Sequence, residues 1–141
     1  MNEYNFNIPC VPPKATAQST TRMVINKKTG KPFPVKNKKG QQVEHELLIL
    51  LMSNAPEAPL EGALSLDITF VYPWRKSEPK YKREMGQIPM TVTPDLDNLM
   101  KLFLDQMQKA LFIQNDSQIS DLRCRKFWGD LPRIEGRLRV I

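Results

Sequence analysis

The stretch from residue 62 to residue 72 constrains the fold most, because apolar and polar side chains alternate along it from Leu64 to Phe70. Successive side chains of a strand point to opposite faces, so this alternation predicts a half-buried strand. A sheet that buries one face needs a second layer to cover it. The apolar set is Leu64, Leu66, Ile68, Phe70 and Tyr72, and the opposite set is Ser65, Asp67 and Thr69.

Residues 133–140 show a similar alternation and predict a second strand of this kind. Shorter strands are predicted for residues 6–13, which end in prolines, and for a hairpin over residues 21–35. In the segment 133–140, the inward side chains are Ile134, Leu138 and Val140, and the outward ones are Arg133, Glu135, Arg137 and Arg139.

Two helices are available to cover these strands. Residues 41–55 carry apolar side chains at helical spacing over about three turns, namely Val43, Leu47, Leu50 and Leu51. A second helix, running to about residue 111, has a core-facing stripe of Leu96, Leu99, Met100, Phe103, Met107, Ala110 and Leu111. The sequence therefore predicts an α+β fold over a single domain, residues 1–141. Its architecture would be a two-layer α/β sandwich, with a mixed sheet of about four strands covered by two main helices.

The formal net charge of +6 favours a polyanionic partner. Nucleic acid is the leading candidate, because each phosphate contact made by Lys or Arg releases counterions. Residues 74–89 show no apolar period and predict a mobile loop, in which five basic side chains stand beside Trp74 and Tyr81. Cations mixed with stacking rings are typical of nucleic-acid grooves, but a solvated linker fits the same pattern.

Several other features limit the possible functions. The longest apolar run, residues 47–52, is far too short to span a membrane, and the first ten residues lack the features of a signal peptide. A cytoplasmic protein with no membrane partner is therefore expected. Cys10 and Cys124 are isolated and predict two reduced, part-buried thiols. His45 is the only histidine, which argues against a histidine-based catalytic triad.

Residues 93–101, TPDLDNLMK, predict the start of the second helix, with Thr93 as N-cap and Pro94 at the first helical position. Asp95 and Asp97 then lie at the helix N-terminus. One interpretation is purely structural: acids stabilised by the helix dipole, with Asp97 paired to Lys101 four residues on. The other is that the two carboxylates turn toward one point and bind a cation.

Asp116 extends the second interpretation, because it lies in the polar turn that follows the helix. Three carboxylates without histidine suit Mg²⁺ or Mn²⁺, which take oxygen ligands. Such a cation can polarise a phosphodiester and activate water at neutral pH. Whether Asp116 returns to Asp97 depends on packing that the sequence does not reveal.

Residues 94–119, PDLDNLMKLFLDQMQKALFIQNDSQI, resemble the signature of the RusA-like endodeoxyribonucleases, a family that resolves Holliday junctions. The resemblance is strong over about 25 residues and looser in the flanking strands and in a later segment, RCRKFWG. The matching positions are Asp95, Asp97, Asn98, Leu99, Lys101, Leu104, Asp105, Asp116, Gln118 and Ile119.

The resemblance implies that Asp95, Asp97 and Asp116 hold Mg²⁺, with Mn²⁺ as a possible substitute, and that Lys101 is required beside the scissile phosphate. It also implies a homodimer, because two symmetric nicks need two sites. The chain departs from many relatives at Asn115, where they carry an acid, so the role of that position is open. Candidate DNA contacts are Lys14, Arg22, Lys76, Lys80, Lys82 and Arg83.

The function that this resemblance implies is Mg²⁺-dependent, structure-selective cleavage of four-way junctions during recombination and repair. Two alternatives stay open at this point. A metal nuclease for other branched DNA would use the same acids. A non-catalytic protein that binds branched or single-stranded DNA would need the basic surface, but not three acids and a lysine in register.

Overall fold

The computed structural model describes residues 1–16, 21–36 and 38–141, without the side chains of Thr21 and Lys36. The strands within these ranges are β1 (Glu3–Pro9), β2 (Thr21–Ile25), β3 (Pro32–Lys36), β4 (Leu64–Pro73), β5 (Gln87–Pro89), β6 (Ile119–Gly129) and β7 (Arg133–Val140). The helices are α1 (Lys38–Met52), α2 (Lys80–Arg83) and α3 (Leu96–Lys109), followed by a 3₁₀ turn, Asp116–Gln118.

The main sheet is mixed, as predicted, and its strand order is β1-β7-β4-β6-β5. Its central strand, β4, runs parallel to β6 and antiparallel to β7. The sheet has five strands rather than about four, because the three-residue β5 pairs with the end of β6. Strands β2 and β3 form a separate hairpin, which confirms the prediction for that segment.

One face of the sheet is covered by α1 and α3, which pack against each other. All five apolar side chains predicted to face inward on β4 are buried there. Phe103 of α3 is fully buried and meets Phe70 edge to face, with ring centroids 5.6 Å apart. Burying one such ring contributes about 1.5–3 kcal/mol. The predicted α+β architecture, with two main helices on a mixed sheet, is confirmed.

The prediction of a mobile loop over residues 74–89 is wrong, because this segment contains α2 and β5. Glu78 is buried and accepts hydrogen bonds from the Arg75 guanidinium, at 2.9 Å from Nε and 2.5 Å from Nη2. The Arg83 guanidinium in turn donates to the main-chain oxygens of Glu78 and Arg75. Part of the charge in this segment therefore holds the segment together.

The predicted start of α3 is also wrong. The helix begins at Leu96 with Asp95 as N-cap, so Thr93 is not the cap and Pro94 is not the first helical residue. Lys126 of β6 explains the difference, because its Nζ donates to the main-chain oxygens of Val92, at 2.5 Å, and Pro94, at 2.8 Å. These carbonyls are bound to a neighbouring strand.

The predicted core stripe of α3 is wrong at both ends, since Leu96 and Leu111 are exposed. Leu111 adopts φ 64°, and its N–H donates to Gln108 O while the N–H of Phe112 donates to Met107 O. This is a Schellman motif with leucine at the position that usually holds glycine. The reversal turns Leu111 outward and sends Phe112 into the core.

Cys10 and Cys124 are free and half-buried, as predicted. Burial raises the pKa of the Cys124 thiol to about 11, and it also raises the pKa of Cys10, so both thiols are protonated at neutral pH. Within the described ranges, no helix is both long and apolar enough to cross a bilayer.

Candidate active site

Asp95 and Asp97 lie at the N-terminus of α3. Asp95 has the extended backbone of an N-cap, and its main-chain oxygen accepts the first helical hydrogen bond from Leu99 N–H at 2.9 Å. Asp97 lies in the first turn. Both side chains are exposed. The helix dipole gives this end a partial positive charge, which favours carboxylates here.

The structural interpretation of these acids rests on the helix dipole, which needs no contact, and on side-chain contacts that the described residues do not make. The Asp95 side chain forms no capping hydrogen bond, although Asp95 occupies the N-cap position. Asp97 forms no ion pair with Lys101, and neither carboxylate is hydrogen-bonded to any part of the chain that the structure describes. The two carboxylates are thus left available to a ligand.

Asn98 adds an unusual feature to the same helical turn. Its Oδ1 atom is buried and has no hydrogen-bond partner among the described residues. A buried polar atom without a partner costs about 1–3 kcal/mol. The N-cap and first turn of α3 therefore hold two free carboxylates and one unsatisfied amide oxygen.

Lys126 is a residue of this region whose contact was not predicted from the sequence. It reaches Pro94 from β6, 32 residues away along the chain, and fixes the main chain directly before Asp95. No local pattern indicates such a contact, because lysine in a strand usually extends into solvent. Hydrogen bonds from a charged donor are worth about 1.5–3 kcal/mol each, so Lys126 gives the N-terminus of α3 a firm position.

Asp116 lies in a turn with its own rigid support. Asn115 caps this turn, since its Oδ1 accepts from Ser117 N–H at 2.9 Å. Gln118 completes the cap through Oε1, which accepts from the N–H groups of Gln114 and Asn115. The Nε2 of Gln118 donates to the main-chain oxygens of Leu60 and Gly62, both at 3.0 Å. Asn115 therefore has a structural role, and the Asp116 side chain is exposed.

Within one chain, Asp116 lies far from Asp97. The Asp116 N–H donates to Gln108 Oε1 at 2.9 Å, so the turn lies against the C-terminal part of α3. Gln108 follows Asp97 by eleven residues, which corresponds to about 16 Å along the helix axis. Strand β6 indicates the same separation. Its first residue, Ile119, lies close to Asp116, whereas Lys126, further along the strand, binds the main chain before Asp95.

The seven residue-to-residue steps from Ile119 to Lys126 span about 23 Å of extended strand. Asp116 and the pair formed by Asp95 and Asp97 therefore lie at opposite ends of the α3–β6 unit. In agreement, no group of three His, Cys, Asp or Glu side chains within residues 1–16, 21–36 and 38–141 is placed to hold a metal ion. The structure brings Asp95 and Asp97 together at one helix end, but it does not bring Asp116 to them.

Comparison with known proteins identifies the family. The family model for Endodeoxyribonuclease RusA matches residues 11–139, which is most of the chain. The chain belongs to the RusA endodeoxyribonuclease family. This confirms the resemblance found in the sequence and the class of enzyme, an endodeoxyribonuclease.

Two known proteins are similar to this chain. The first is the "Uncharacterized protein YqaN" of Bacillus subtilis (strain 168), which is 30% identical over 108 residues, or 73% of this chain and 75% of the relative. The second is the "Crossover junction endodeoxyribonuclease rusA" of Lactococcus phage r1t. It is 38% identical over 93 residues, or 64% of this chain and 66% of the phage protein.

The candidate DNA contacts of this RusA-family chain are spread over three places. Lys14 follows β1 and lines one pocket with Lys76, Arg22 lies exposed on β2, and the remaining candidates are on α2. Arg83 is engaged in hydrogen bonds to the main chain of its own segment. Whether these residues bind DNA stays a prediction, and Arg83 is the least free of them to do so.

Replacing Lys76, Lys80 and Lys82 by Ala is expected to weaken DNA binding and to flatten its salt dependence. Each lost phosphate contact lowers the slope of log K against log salt by about 0.9, so the slope should fall by up to about 2.7. Thermal stability should change little, since exposed charges contribute within about 0.5 kcal/mol. Arg at the same positions is the matched control. If the Ala variant had the same slope of log K against log salt as wild type, these lysines would be a solvated surface that makes no contact with DNA phosphates.

Proposed function

We propose that this protein is a Mg²⁺-dependent endodeoxyribonuclease that resolves four-way DNA junctions by paired symmetric nicks, in recombination and repair. The observation that carries the proposal is the pair of free carboxylates, Asp95 and Asp97, at the N-terminus of α3 in a chain of net charge +6. Family membership and the phage relative, named as a crossover junction endodeoxyribonuclease, support the same activity.

The residues at the end of α3 fit a hard divalent cation. Their donors are all oxygens, from Asp95, Asp97 and the unsatisfied amide of Asn98, and His45 is exposed on a different helix. Oxygen-only sites suit Mg²⁺ and tolerate Mn²⁺. A bound Mg²⁺ would supply charge stabilisation at the phosphodiester and lower the pKa of the attacking water. Lys101, one turn along the exposed face, would bring a positive charge to the same phosphate.

A homodimer would complete this site. Asp116 lies at the far end of α3 within its own protomer, so we assign the third carboxylate to Asp116 of the partner subunit. If two α3 helices pack antiparallel about a twofold axis, the N-terminus of each meets the C-terminal turn of the other. Two equivalent sites then result, which matches the two nicks that resolve a junction.

The exposed face of α3 supports one register for this pairing. Asp97, Lys101, Asp105 and Lys109 are exposed and alternate in charge at intervals of four residues. With the twofold axis near residue 103, Asp97 lies opposite the partner's Lys109, and Lys101 lies opposite the partner's Asp105. Opposite charges placed in this way favour the antiparallel register over a parallel one.

The same register agrees with two further features. The exposed side chain of Leu96 would lie beside the partner's Leu111, so two outward-facing leucines would be covered. Gln108 of the partner subunit would lie opposite Asn98. Because Asp116 donates a hydrogen bond to Gln108 in its own protomer, the partner's Asp116 would then lie near Asn98 as well. The charge pattern, the burial of the two leucines and the position of Asp116 therefore all favour the same antiparallel register of the α3 helices.

The test is incubation of the purified protein with a synthetic mobile four-way junction and Mg²⁺, with Y-shaped and linear duplexes of the same sequence beside it. We expect paired, symmetric nicks in the junction alone, none with EDTA, and a dimer by light scattering. Equal cutting of all three DNAs would indicate a less selective nuclease. Tight junction binding with no cutting in Mg²⁺ or Mn²⁺ would indicate a DNA-binding protein.

A further inference from the structure

A pocket of about 400 Å³ adjoins the N-terminal side of Asp95, and the mechanism proposed above does not use it. Thr93 and Pro94 form part of its lining, so the pocket ends one residue before the candidate metal ligands. Its other walls come from the end of β4, the segment after it, and the end of β6. We call it the tryptophan pocket, and it is lined by Lys14, Tyr72, Pro73, Trp74, Arg75, Lys76, Met90, Thr93, Pro94 and Trp128.

The aromatic walls of the tryptophan pocket are fixed in position. Trp74 donates through Nε1 to Asp130 Oδ1 at 2.7 Å. Trp128 packs edge to face on the buried Tyr72, with centroids 6.2 Å apart. The Tyr72 hydroxyl donates to Pro13 O at 2.5 Å, which ties the N-terminal segment to the same wall. Rings held in this way lose little freedom when a ligand stacks on them.

Positive charge is also held at the pocket. The Arg75 guanidinium lies 4.8 Å from the centre of the Trp128 ring, and the buried Glu78 fixes it there through two hydrogen bonds. Lys14 and Lys76 are exposed at the rim and form no ion pair within the described residues. The pocket thus combines flat apolar walls with cations at its edge.

We propose that the tryptophan pocket receives one unpaired DNA base from the strand whose phosphate lies at Asp95 and Asp97. Aromatic walls with neighbouring cations are the chemistry that binds an unstacked base and its phosphate. A base inside a duplex cannot enter, since it remains stacked and paired, whereas a base at a branch point can. The pocket would therefore select DNA in which the strand to be cut is locally unpaired.

This inference rests on the proposed function, because it takes the phosphate beside the pocket to be the one that is cut. It adds a source of selectivity that the acids alone do not provide. The acids can hold a metal at any phosphate, but the pocket would stabilise only a bound strand that has an unpaired base. Base stacking on an aromatic ring is expected to raise affinity by roughly 5- to 150-fold.

The test measures binding without cleavage. The full-length protein in EDTA is titrated with a four-way junction that carries one unpaired base at the branch point, and with the same junction carrying an abasic residue there. We expect the wild-type protein to bind the first junction roughly 5- to 150-fold more tightly. Trp128→Ala should bind both equally, and Trp128→Phe, which keeps a ring, should restore most of the difference.

The controls separate the pocket from fold and from function. Phe33→Ala removes a partly exposed aromatic from the β2–β3 hairpin, outside the pocket, and should keep the wild-type discrimination. Equal binding of both junctions by the wild-type protein would overturn the proposal without any variant, as would discrimination that survives in a folded Trp128→Ala. Failure of the proposed function would look different: the base would be recognised, but no junction would be cut with Mg²⁺.

Discussion

Asp97→Asn is expected to abolish junction cleavage while junction binding is retained or tightened. The substitution keeps the shape of the side chain but removes one anionic ligand, which weakens Mg²⁺ binding and the activation of water. Metal catalysis supplies several kcal/mol, and each 1.36 kcal/mol is a factor of ten, so the rate should fall by at least about 100-fold. Binding should not fall, because one source of repulsion between acid and phosphate is removed. Gel-based cleavage and binding titrations with one junction measure both effects.

The same substitution distinguishes the two interpretations of the acids at the end of α3. An acid with a purely structural role acts here through the helix dipole, so Asp97→Asn would cost at most about 1 kcal/mol of stability and would leave cleavage unchanged. Asp121→Asn, at an exposed acid on β6, is the matched control and should cut normally. Cleavage by Asp97→Asn at the wild-type rate would show that the active site has been placed wrongly.

The long strands and the two main helices of this protein could be predicted because their patterns are local. The alternation along β4 predicted its buried face correctly, from Leu64 to Tyr72. Helical spacing predicted both main helices, and the buried Leu47 and Leu51 of α1 lie in the predicted stripe. In each case, one element's own side chains determine which face turns to the core.

The errors arose where a distant contact overrides the local pattern. Thr93 and Pro94 form a good local signal for a helix start, but Lys126, from a strand that follows α3, binds the carbonyls of Val92 and Pro94. Residues 74–89 look like a solvated loop because their sequence is polar and charged. Glu78 is nevertheless buried, and its two arginine partners order the segment. Neither arrangement can be deduced from periodicity.

The site shows the same division between local and distant information. Asp95 and Asp97 are two residues apart, so their sequence alone indicated a shared helix end. The position of Asp116 depends on how β6 returns along α3, and it is the hydrogen bond to Gln108 that reveals the separation. A motif records which residues are needed. It does not record whether they come from one protomer or from two.

Mixing two inactive variants is expected to restore cleavage if the site is shared between protomers. In an Asp97→Asn homodimer both sites lack the same ligand, and the same holds for Asp116→Asn. In a mixed dimer, one site combines both substitutions, but the other combines the unaltered Asp97 of one protomer with the unaltered Asp116 of the partner subunit. One site of the mixed dimer is therefore complete.

Co-expression with two different affinity tags, followed by sequential purification, isolates the mixed dimer from both homodimers. We expect this species to nick only one strand of the junction, whereas wild type nicks two, and we expect each homodimer to be inactive. If all three carboxylates belonged to one protomer, each half of the mixed dimer would carry one defect, and no site could act. An inactive mixed dimer that still binds the junction would therefore refute the shared site and leave the family activity to be explained by a rearrangement within one chain. Restoration of a single nick would show that dimer formation assembles the catalytic ligands, because no single chain in the mixture possesses the full set.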